Sequence, residues 1–188
     1  KISLSTGQEE LVYADPRVDI SQAFISRKTQ QPLLLTLDPD YPEQKVFEPR
    51  LQAALQRFQA QNPGPLRLQP TSMSRDENLI TATVTREDGG QHVLLNVSTG
   101  ELTVLGEATR SRVHALSPVP KQTPITFQSR DGLALHAYLT LPNDSAGKNL
   151  PTVLYVHGGP WSRDEWGDGA SMPAFLANRG YAVLQVNY

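Results

Sequence analysis

One stretch of the sequence limits the fold more than any other: the apolar run 153–156, which is directly followed by His157, Gly158, Gly159 and Pro160. The run VLYV is rich in β-branched and aromatic residues, so it predicts a strand buried on both faces of a parallel sheet. The adjacent glycines let backbone N–H groups approach a ligand without interference from a Cβ atom. In open α/β sheets ligands bind at the carboxyl ends of strands, so this turn is the first candidate site.

Two further stretches flank the turn. Residues 129–142 read SRDGLALHAYLTLP, and residues 177–188 read ANRGYAVLQVNY. With HGGP between them, they resemble the opening strands of the hydrolase domain in the prolyl oligopeptidase family of serine peptidases. The proline of HGGP is more similar to the acylaminoacyl-peptidase-like branch of that family than to lipases and esterases. Three motifs in order are far more specific than one.

The resemblance implies a fold and its division into domains. Residues 1–118 are expected to form the C-terminal part of a β-rich, β-propeller-like domain. Residues 119–188 are expected to form the N-terminal, incomplete part of an α/β-hydrolase domain with a parallel-type sheet. A stretch at 115–124 contains prolines and has no periodicity, which predicts the linker between the two. We therefore expect the chain to be one piece of a longer or nicked protein.

The first part of the chain predicts a hairpin and then a helix. Residues 20–26 and 33–37 are expected to pair as two strands, and the prolines and aspartates of 38–42 end the pattern. A helix is predicted at 48–61, with Pro49 in its first turn. Its apolar residues fall on one face at helical spacing: Leu51, Ala54, Leu55 and Phe58.

A β meander is predicted after this helix. In 79–85, apolar residues alternate with threonines, which is typical of a half-buried antiparallel strand. Glycine-containing turns at 88–90 and 99–100 lead into strands at 92–98 and 102–105. Short strands joined in this way suit a propeller blade or a sandwich.

The last part of the chain predicts a hairpin and a βαβ crossover. Strands are expected at 125–128 and 134–141. A second helix is expected to begin after a Ser171 cap and to end at Gly180. Its buried stripe is predicted from three residues: Met172, Phe175 and Leu176. Because a strand at 181–186 follows, the run 153–156, the helix and this strand form one crossover unit.

The resemblance also implies a role for the HGGP turn. In the family, a backbone N–H of this loop helps to hold the negative charge that develops on the substrate carbonyl oxygen. Gly159 is the expected donor, supported by Gly158, and His157 is expected to be structural or to contribute to the same oxyanion loop. The residues that follow are expected to line the substrate cleft: Pro160, Trp161 and Arg163.

The nucleophile of such an enzyme is missing from the sequence. The elbow GxSxG does not occur, and GASMP at 169–173 lacks the second glycine. The serine, acid and histidine of a triad would follow residue 188. An oxyanion donor is worth roughly 10²–10³ in rate, whereas loss of a serine nucleophile costs about 10⁶. The chain by itself is therefore predicted to be inactive.

Composition argues against several other functions. Lys plus Arg number 17 and Asp plus Glu number 19, with a formal net charge of −2, so neither nucleic acid nor an anionic membrane is an expected partner. The chain has no cysteine, which excludes a disulfide framework and a cysteine nucleophile. No apolar run approaches the roughly 20 residues of a membrane span. The compartment stays open between cytoplasm and periplasm.

Neither a metal nor a cofactor is expected. Three histidines lie outside the HGGP turn, without paired spacing: His92, His114 and His136. They are interpreted as ordinary strand or loop residues. Three acidic residues follow the turn: Asp164, Glu165 and Asp168. Their spacing matches no calcium loop, and they are interpreted as a solvated acidic face.

Two classes of function stay open. The favoured one is a serine peptidase of oligopeptidase, acylaminoacyl-peptidase or dipeptidyl-peptidase type, which hydrolyses short peptides through an acyl-enzyme. A carboxylesterase is the alternative within the enzyme class, because a fold does not fix the substrate. The other class is a non-catalytic, β-rich binding module. The expected partners are a peptide substrate and the remainder of the hydrolase domain, because a parallel sheet needs helices on both faces.

Overall fold

The computed structural model describes residues 1–86, 89–107, 119–159, 161–167 and 172–188. Within these ranges the chain forms three sheets and two helices. The elements in chain order are β1 Ile20–Ile25, β2 Pro32–Leu37, β3 Glu43–Val46, α1 Pro49–Gln61, β4 Arg67–Met73, β5 Leu79–Arg86, β6 Gly89–Asn96, β7 Leu102–Glu107, β8 Gln122–Gln128, β9 Ala134–Thr140, β10 Thr152–Tyr155, α2 Met172–Ala177 and β11 Ala182–Asn187.

The first two sheets are antiparallel meanders. The first has the order β1-β2-β3 and the second the order β4-β5-β6-β7. The predicted hairpin of β1 and β2 and the predicted strands β5, β6 and β7 are confirmed. The sequence did not predict β3 and β4. β3 is only four residues long, and β4 contains Pro70, which cannot donate to a ladder and lies at a register shift against β5.

The predicted helix is confirmed as α1, and its first turn explains where it starts. Pro49 lies in the first turn, and a carboxylate oxygen of Glu48 accepts a hydrogen bond from the Leu51 N–H at 2.6 Å. This capping satisfies a backbone donor that has no partner within the helix. The four predicted apolar residues are the buried ones, so the helical spacing identified the correct face.

The main hydrophobic core lies between α1 and the second sheet, with a contribution from the first. Its buried members are Leu34, Leu51, Ala54, Leu55, Phe58, Leu66, Leu68, Met73, Ile80, Ala82, Val84, Val93, Leu95 and Val97. The alternation in β5 thus places its apolar side chains in the core shared with α1, and the buried face is the one that the pattern predicted. This core holds β4 in place, and β4 carries Arg67, which contacts the segment that follows the candidate site.

The third sheet has the order β10-β11-β9-β8. β10 and β11 pair in parallel, with Thr152 opposite Ala182, and α2 lies between them in the chain. The β11–β9 and β9–β8 pairs are antiparallel. Parallel pairing is therefore confined, among the described strands, to the two that flank α2.

The expectation that the run at 153–156 is buried on both faces was wrong for this chain. β10 lies at the edge of its sheet, and the Leu154 side chain is 59% exposed. Tyr155 and Val156 are exposed as well. The physical reason is that β10 has one neighbouring strand among the described strands, and that α2 packs mainly against β11 and β9.

The predicted buried stripe of α2 was also wrong. Met172 and Phe175 are 46% and 47% exposed, and Leu176 is half-buried. The buried residues are instead the small ones: Pro173, Ala174 and Ala177. Small side chains let a helix lie close to a sheet, so the larger residues face outward. The predicted Ser171 cap lies outside the described residues.

Two predicted connections differ from the structure. Gly89 and Gly90 lie in β6, paired with Arg86 and Thr85, while residues 87–88 lie outside the described part. The predicted linker at 115–124 extends too far toward the C-terminus, because β8 already begins at Gln122. Its residues up to 118 are not described. Neither described helix is long and apolar enough to cross a membrane.

The packing of α1 in the core predicts the effect of truncating one of its buried side chains. Leu51→Ala in the intact protein should lower the free energy of unfolding by about 2–5 kcal/mol, because the lost side chain leaves a cavity. Gln56→Ala, on the exposed face of the same helix, is the matched control and should change it by less than about 0.5 kcal/mol. Urea unfolding measures both, and equal effects would contradict this packing.

Candidate active site

The HGGP turn directly follows β10 and presents bare backbone. Gly158 and Gly159 are exposed, and within the described residues their N–H groups donate to no acceptor. A Cβ atom added at Gly159 would lie 3.1 Å from the backbone nitrogen of Trp161. The chain therefore folds back tightly at Gly159, in a conformation that leaves little room for a side chain. Such a turn has donors available for an anionic oxygen.

The His157 ring is fixed as part of this turn. It stacks on the Tyr188 ring, with centroids 4.5 Å apart and planes 1° apart. Its Nδ1 lies 2.8 Å from the Gly158 carbonyl oxygen, and the Tyr188 hydroxyl donates to the His157 carbonyl at 3.2 Å. Because a carbonyl only accepts, Nδ1 carries the proton in this contact. These contacts brace the turn against the end of the third sheet.

The residues predicted to line a substrate cleft have different surroundings. Trp161 is 97% exposed. Arg163 is half-buried, and its Nη2 donates to the Pro39 carbonyl at 3.2 Å, between β2 and β3. Pro160 lies outside the described residues. Trp161 thus extends into solvent, whereas Arg163 contacts the connection between β2 and β3. That either residue contacts a substrate stays a prediction.

Residues 161–167, here called the post-loop segment, are anchored to the third sheet at two positions. The Asp164 N–H donates to the Asn187 side-chain oxygen at 2.8 Å, and the Asn187 amide donates back to the Asp164 carbonyl at 3.1 Å. The Gly167 N–H donates to the Gln122 side-chain oxygen at 2.8 Å. Gln122 in turn donates to Gln185 at 3.0 Å. Side-chain amides on β8 and β11 therefore hold this backbone.

A buried arginine anchors the same segment to the second sheet. The side chain of Arg67, on β4, is 2% exposed. Its Nη2 lies 2.6 Å from an Asp38 carboxylate oxygen and 3.2 Å from the Trp166 carbonyl, and its Nη1 pairs with Glu165. A buried charge is tolerated only when it is paired and hydrogen-bonded. The interpretation of Glu165 as part of a solvated acidic face was therefore wrong, and Asp168 lies outside the described residues.

The connection between β2 and β3 completes this contact between sheets. The Tyr138 hydroxyl donates to the Asp40 carbonyl at 2.8 Å, and the His136 Nδ1 lies 3.0 Å from the Asp40 carboxylate. The rings of Tyr41 and buried Trp166 meet edge to face, with centroids 5.8 Å apart. The prolines and aspartates of 38–42 thus form an interface as well as ending a strand.

The other histidines have ordinary surroundings where they are described. The His92 Nδ1 lies 3.3 Å from the Thr83 hydroxyl, and His114 lies outside the described residues. In the described part of the chain, no group of three or more histidine, cysteine, aspartate or glutamate side chains is arranged to hold a metal ion.

Sequence reasoning missed Arg67 as a candidate site residue. No local signal points to it. A charge between Leu66 and Leu68 in a strand alternates with them and is expected on the solvent-facing side. The identity of the partners is not readable from the sequence, because Glu165 lies 98 positions away.

Comparison with known proteins shows that the chain is similar to part of several peptidases. It is 34% identical to dipeptidyl aminopeptidase BIII of Pseudoxanthomonas mexicana, over 100% of this chain and 28% of that protein. It is 29% identical to dipeptidyl peptidase family member 6 of Caenorhabditis elegans, over 96% of this chain and 27% of that protein. The chain thus spans a little over a quarter of the length of these relatives. No protein-family model matches it.

Solved structures give the same result for the fold. A prolyl endopeptidase aligns with 99% of this chain and 27% of its own length, with a TM-score of 0.67 and 16% identity. The acylaminoacyl peptidase of Pyrococcus horikoshii aligns with 91% of this chain and 25% of its own, with a TM-score of 0.57 and 17% identity. The resemblance to prolyl oligopeptidase-type peptidases is confirmed, and the chain corresponds to a part of such proteins.

The buried tyrosine at the interface predicts a pH dependence. Burial raises the pKa of Tyr138 well above its ordinary value, so above about pH 10 the unfolded state loses a proton that the folded state keeps. The free energy of unfolding should therefore fall as the pH rises above about 10. Tyr138→Phe should make this fall shallower by up to about 1.4 kcal/mol per pH unit. Urea unfolding of the wild-type protein and of Tyr138→Phe between pH 9 and 11 gives the slope of the free energy of unfolding against pH for each. Equal slopes would contradict the burial of Tyr138.

Proposed function

We propose that the protein containing this chain is a serine peptidase that hydrolyses short peptides through an acyl-enzyme, and that this chain supplies its oxyanion loop. The observation that carries the proposal is the turn after β10, where two exposed adjacent glycines have N–H groups without an acceptor in the described residues. Its relatives are peptidases in which the chain corresponds to about a quarter of the length.

The two antiparallel meanders support a propeller assignment for residues 1–118. The β4-β5-β6-β7 sheet has the four strands and sequential order of a propeller blade. The unit β10–α2–β11, with its parallel pair, supports assigning residues 119–188 to the beginning of an α/β-hydrolase domain. In that assignment the HGGP turn lies at the carboxyl end of a strand, where the ligands of such sheets bind.

The chemistry assigned to the turn is electrostatic. When a nucleophile attacks a peptide carbonyl, negative charge develops on the oxygen, and a fixed backbone donor stabilises that charge. Gly159 N–H is the proposed donor. Gly158 permits close approach, and His157 braces the turn through Tyr188. The nucleophile and its base lie outside these 188 residues, so the chain alone is proposed to be inactive.

The exposed apolar surface around β10 is proposed to pack against the remainder of the hydrolase domain, in the same or a nicked chain. Its members are Leu154, Tyr155, Val156, Met172 and Phe175. Each large apolar side chain left in water forgoes roughly 1.5–3 kcal/mol. For several side chains this sum is comparable with the whole stability of a domain, about 5–15 kcal/mol.

The substrate is proposed to be a short peptide. Two relatives carry the name of dipeptidyl peptidases, which favours substrates with a free amino terminus two residues before the cleaved bond. Exposed Trp161 is proposed to contact the substrate, together with Pro160. Arg163 is also proposed for the cleft, with its Nη2 held by the Pro39 carbonyl.

The test uses the full-length protein that carries this chain. A fluorophosphonate probe should label a serine outside residues 1–188. Dipeptidyl, acetyl-aminoacyl and p-nitrophenyl ester substrates, compared by kcat/KM, separate the substrate classes. Highest kcat/KM for the dipeptidyl substrate is the expected result. Preference for the ester would favour a carboxylesterase, and absence of both labelling and turnover would leave a binding module.

The oxyanion role of Gly159 predicts a kinetic signature. In the full-length enzyme, Gly159→Ala should lower kcat by tenfold or more with little change in KM, because the added Cβ crowds the Trp161 nitrogen and displaces the donor. Gly106→Ala is the matched control, since a Cβ at Gly106 meets nothing within 4 Å. A Gly159→Ala enzyme with unchanged kcat would refute the assignment.

A further inference from the structure

The post-loop segment is held from two sides at once. Arg163, Glu165 and Trp166 contact the first two sheets, whereas Asp164 and Gly167 are bound by the third. Asp164, between Arg163 and Glu165, and Gly167, after Trp166, are thus held from the side opposite to that of their neighbours. The position of this backbone therefore depends on both sides together, and it begins two residues after Gly159.

Arg67 is the main fixed point on the side of the second sheet. It extends from β4 between buried Leu66 and Leu68, so the core holds its backbone. Its guanidinium contacts Asp38, Glu165 and the Trp166 carbonyl. A planar guanidinium presents its donors in a rigid fork, which a lysine ammonium cannot reproduce. Two of these three contacts fall on the post-loop segment.

We infer that Arg67 is a positioning residue for the oxyanion turn, acting through Glu165 and the Trp166 carbonyl; the inference rests on the proposed function. The guanidinium contacts of Arg67 with described residues, which are Asp38, Glu165 and Trp166, do not include the turn. Arg67 fixes the backbone that leaves the turn, and so limits where the Gly159 N–H lies. An error of about 1 Å in such a group costs up to about 10²-fold in rate.

The same geometry makes the oxyanion donor depend on the contact between the sheets. Arg67 belongs to the β-rich part, and the turn follows β10 in the third sheet. If the two parts shift, the Arg67 contacts to Glu165 and Trp166 change, and with them the backbone that leaves the turn. The β-rich part then contributes to the chemical step.

The test is a double-mutant cycle in the full-length enzyme. Glu165→Ala removes one contact and leaves Arg67 paired with Asp38. Arg67→Lys keeps a buried positive charge beside Asp38 but loses the fork. Each should lower kcat by tenfold or more with KM within about twofold, and the double variant should lose little beyond either single one, because both break one contact. Glu165→Gln, which keeps an acceptor oxygen, should recover most of the activity.

A second readout separates positioning from general damage. Affinity for a peptide aldehyde, which forms a tetrahedral adduct with an oxyanion, should fall by the same factor as kcat in Glu165→Ala. Arg17→Ala is the control, since it breaks ion pairs of a half-exposed arginine with Asp15 and Glu43, in the first part of the chain. It should change neither kcat nor aldehyde affinity.

The outcomes distinguish the positioning role of Arg67 from the proposed peptidase function. An active wild-type enzyme whose Glu165→Ala and Arg67→Lys variants keep normal kcat and aldehyde affinity would overturn the positioning role alone. Loss of kcat without loss of aldehyde affinity would overturn it too. A wild-type protein that neither labels with fluorophosphonate nor cleaves peptides would overturn the proposed function, and the positioning role with it.

Discussion

The buried charge of Arg67 is the constraint on which the arrangement of this chain depends. Its guanidinium is withdrawn from water and must have acceptors, and Asp38, Glu165 and the Trp166 carbonyl provide them. Removing one partner of such a group is strongly destabilising, because the remaining charge stays buried. Together with the Asp40 and Pro39 contacts, these bonds join the β-rich part to the third sheet and to the segment that follows the candidate active site.

Elements that depend on local pattern were predictable from the sequence. α1 has its proline, its cap and its apolar face within one stretch, and the alternation of β5 identifies its buried side without reference to any partner. Burial that depends on distant neighbours was not predictable. β10 has the composition of a central strand but lies at a sheet edge, and α2 buries its alanines because small residues fit closely on β11 and β9.

The same division holds for the candidate site. HGGP is contiguous in sequence, so its glycines and their backbone donors were identified from the residues alone. The contacts that hold the post-loop segment, which follows it, join Glu165 to Arg67, Arg163 to Pro39 and Gly167 to Gln122. These pairs are separated by 98, 124 and 45 positions. No local periodicity carries such information, and a charge between two leucines does not by itself indicate burial.

A crystal structure of the full-length protein with a bound peptide aldehyde would test the central claim most directly. The account predicts that the adduct oxygen lies about 2.7–3.1 Å from the Gly159 nitrogen, with Arg67 still contacting Glu165 and the Trp166 carbonyl. An adduct oxygen held by other donors, with the Gly159 N–H beyond hydrogen-bond distance, would contradict it.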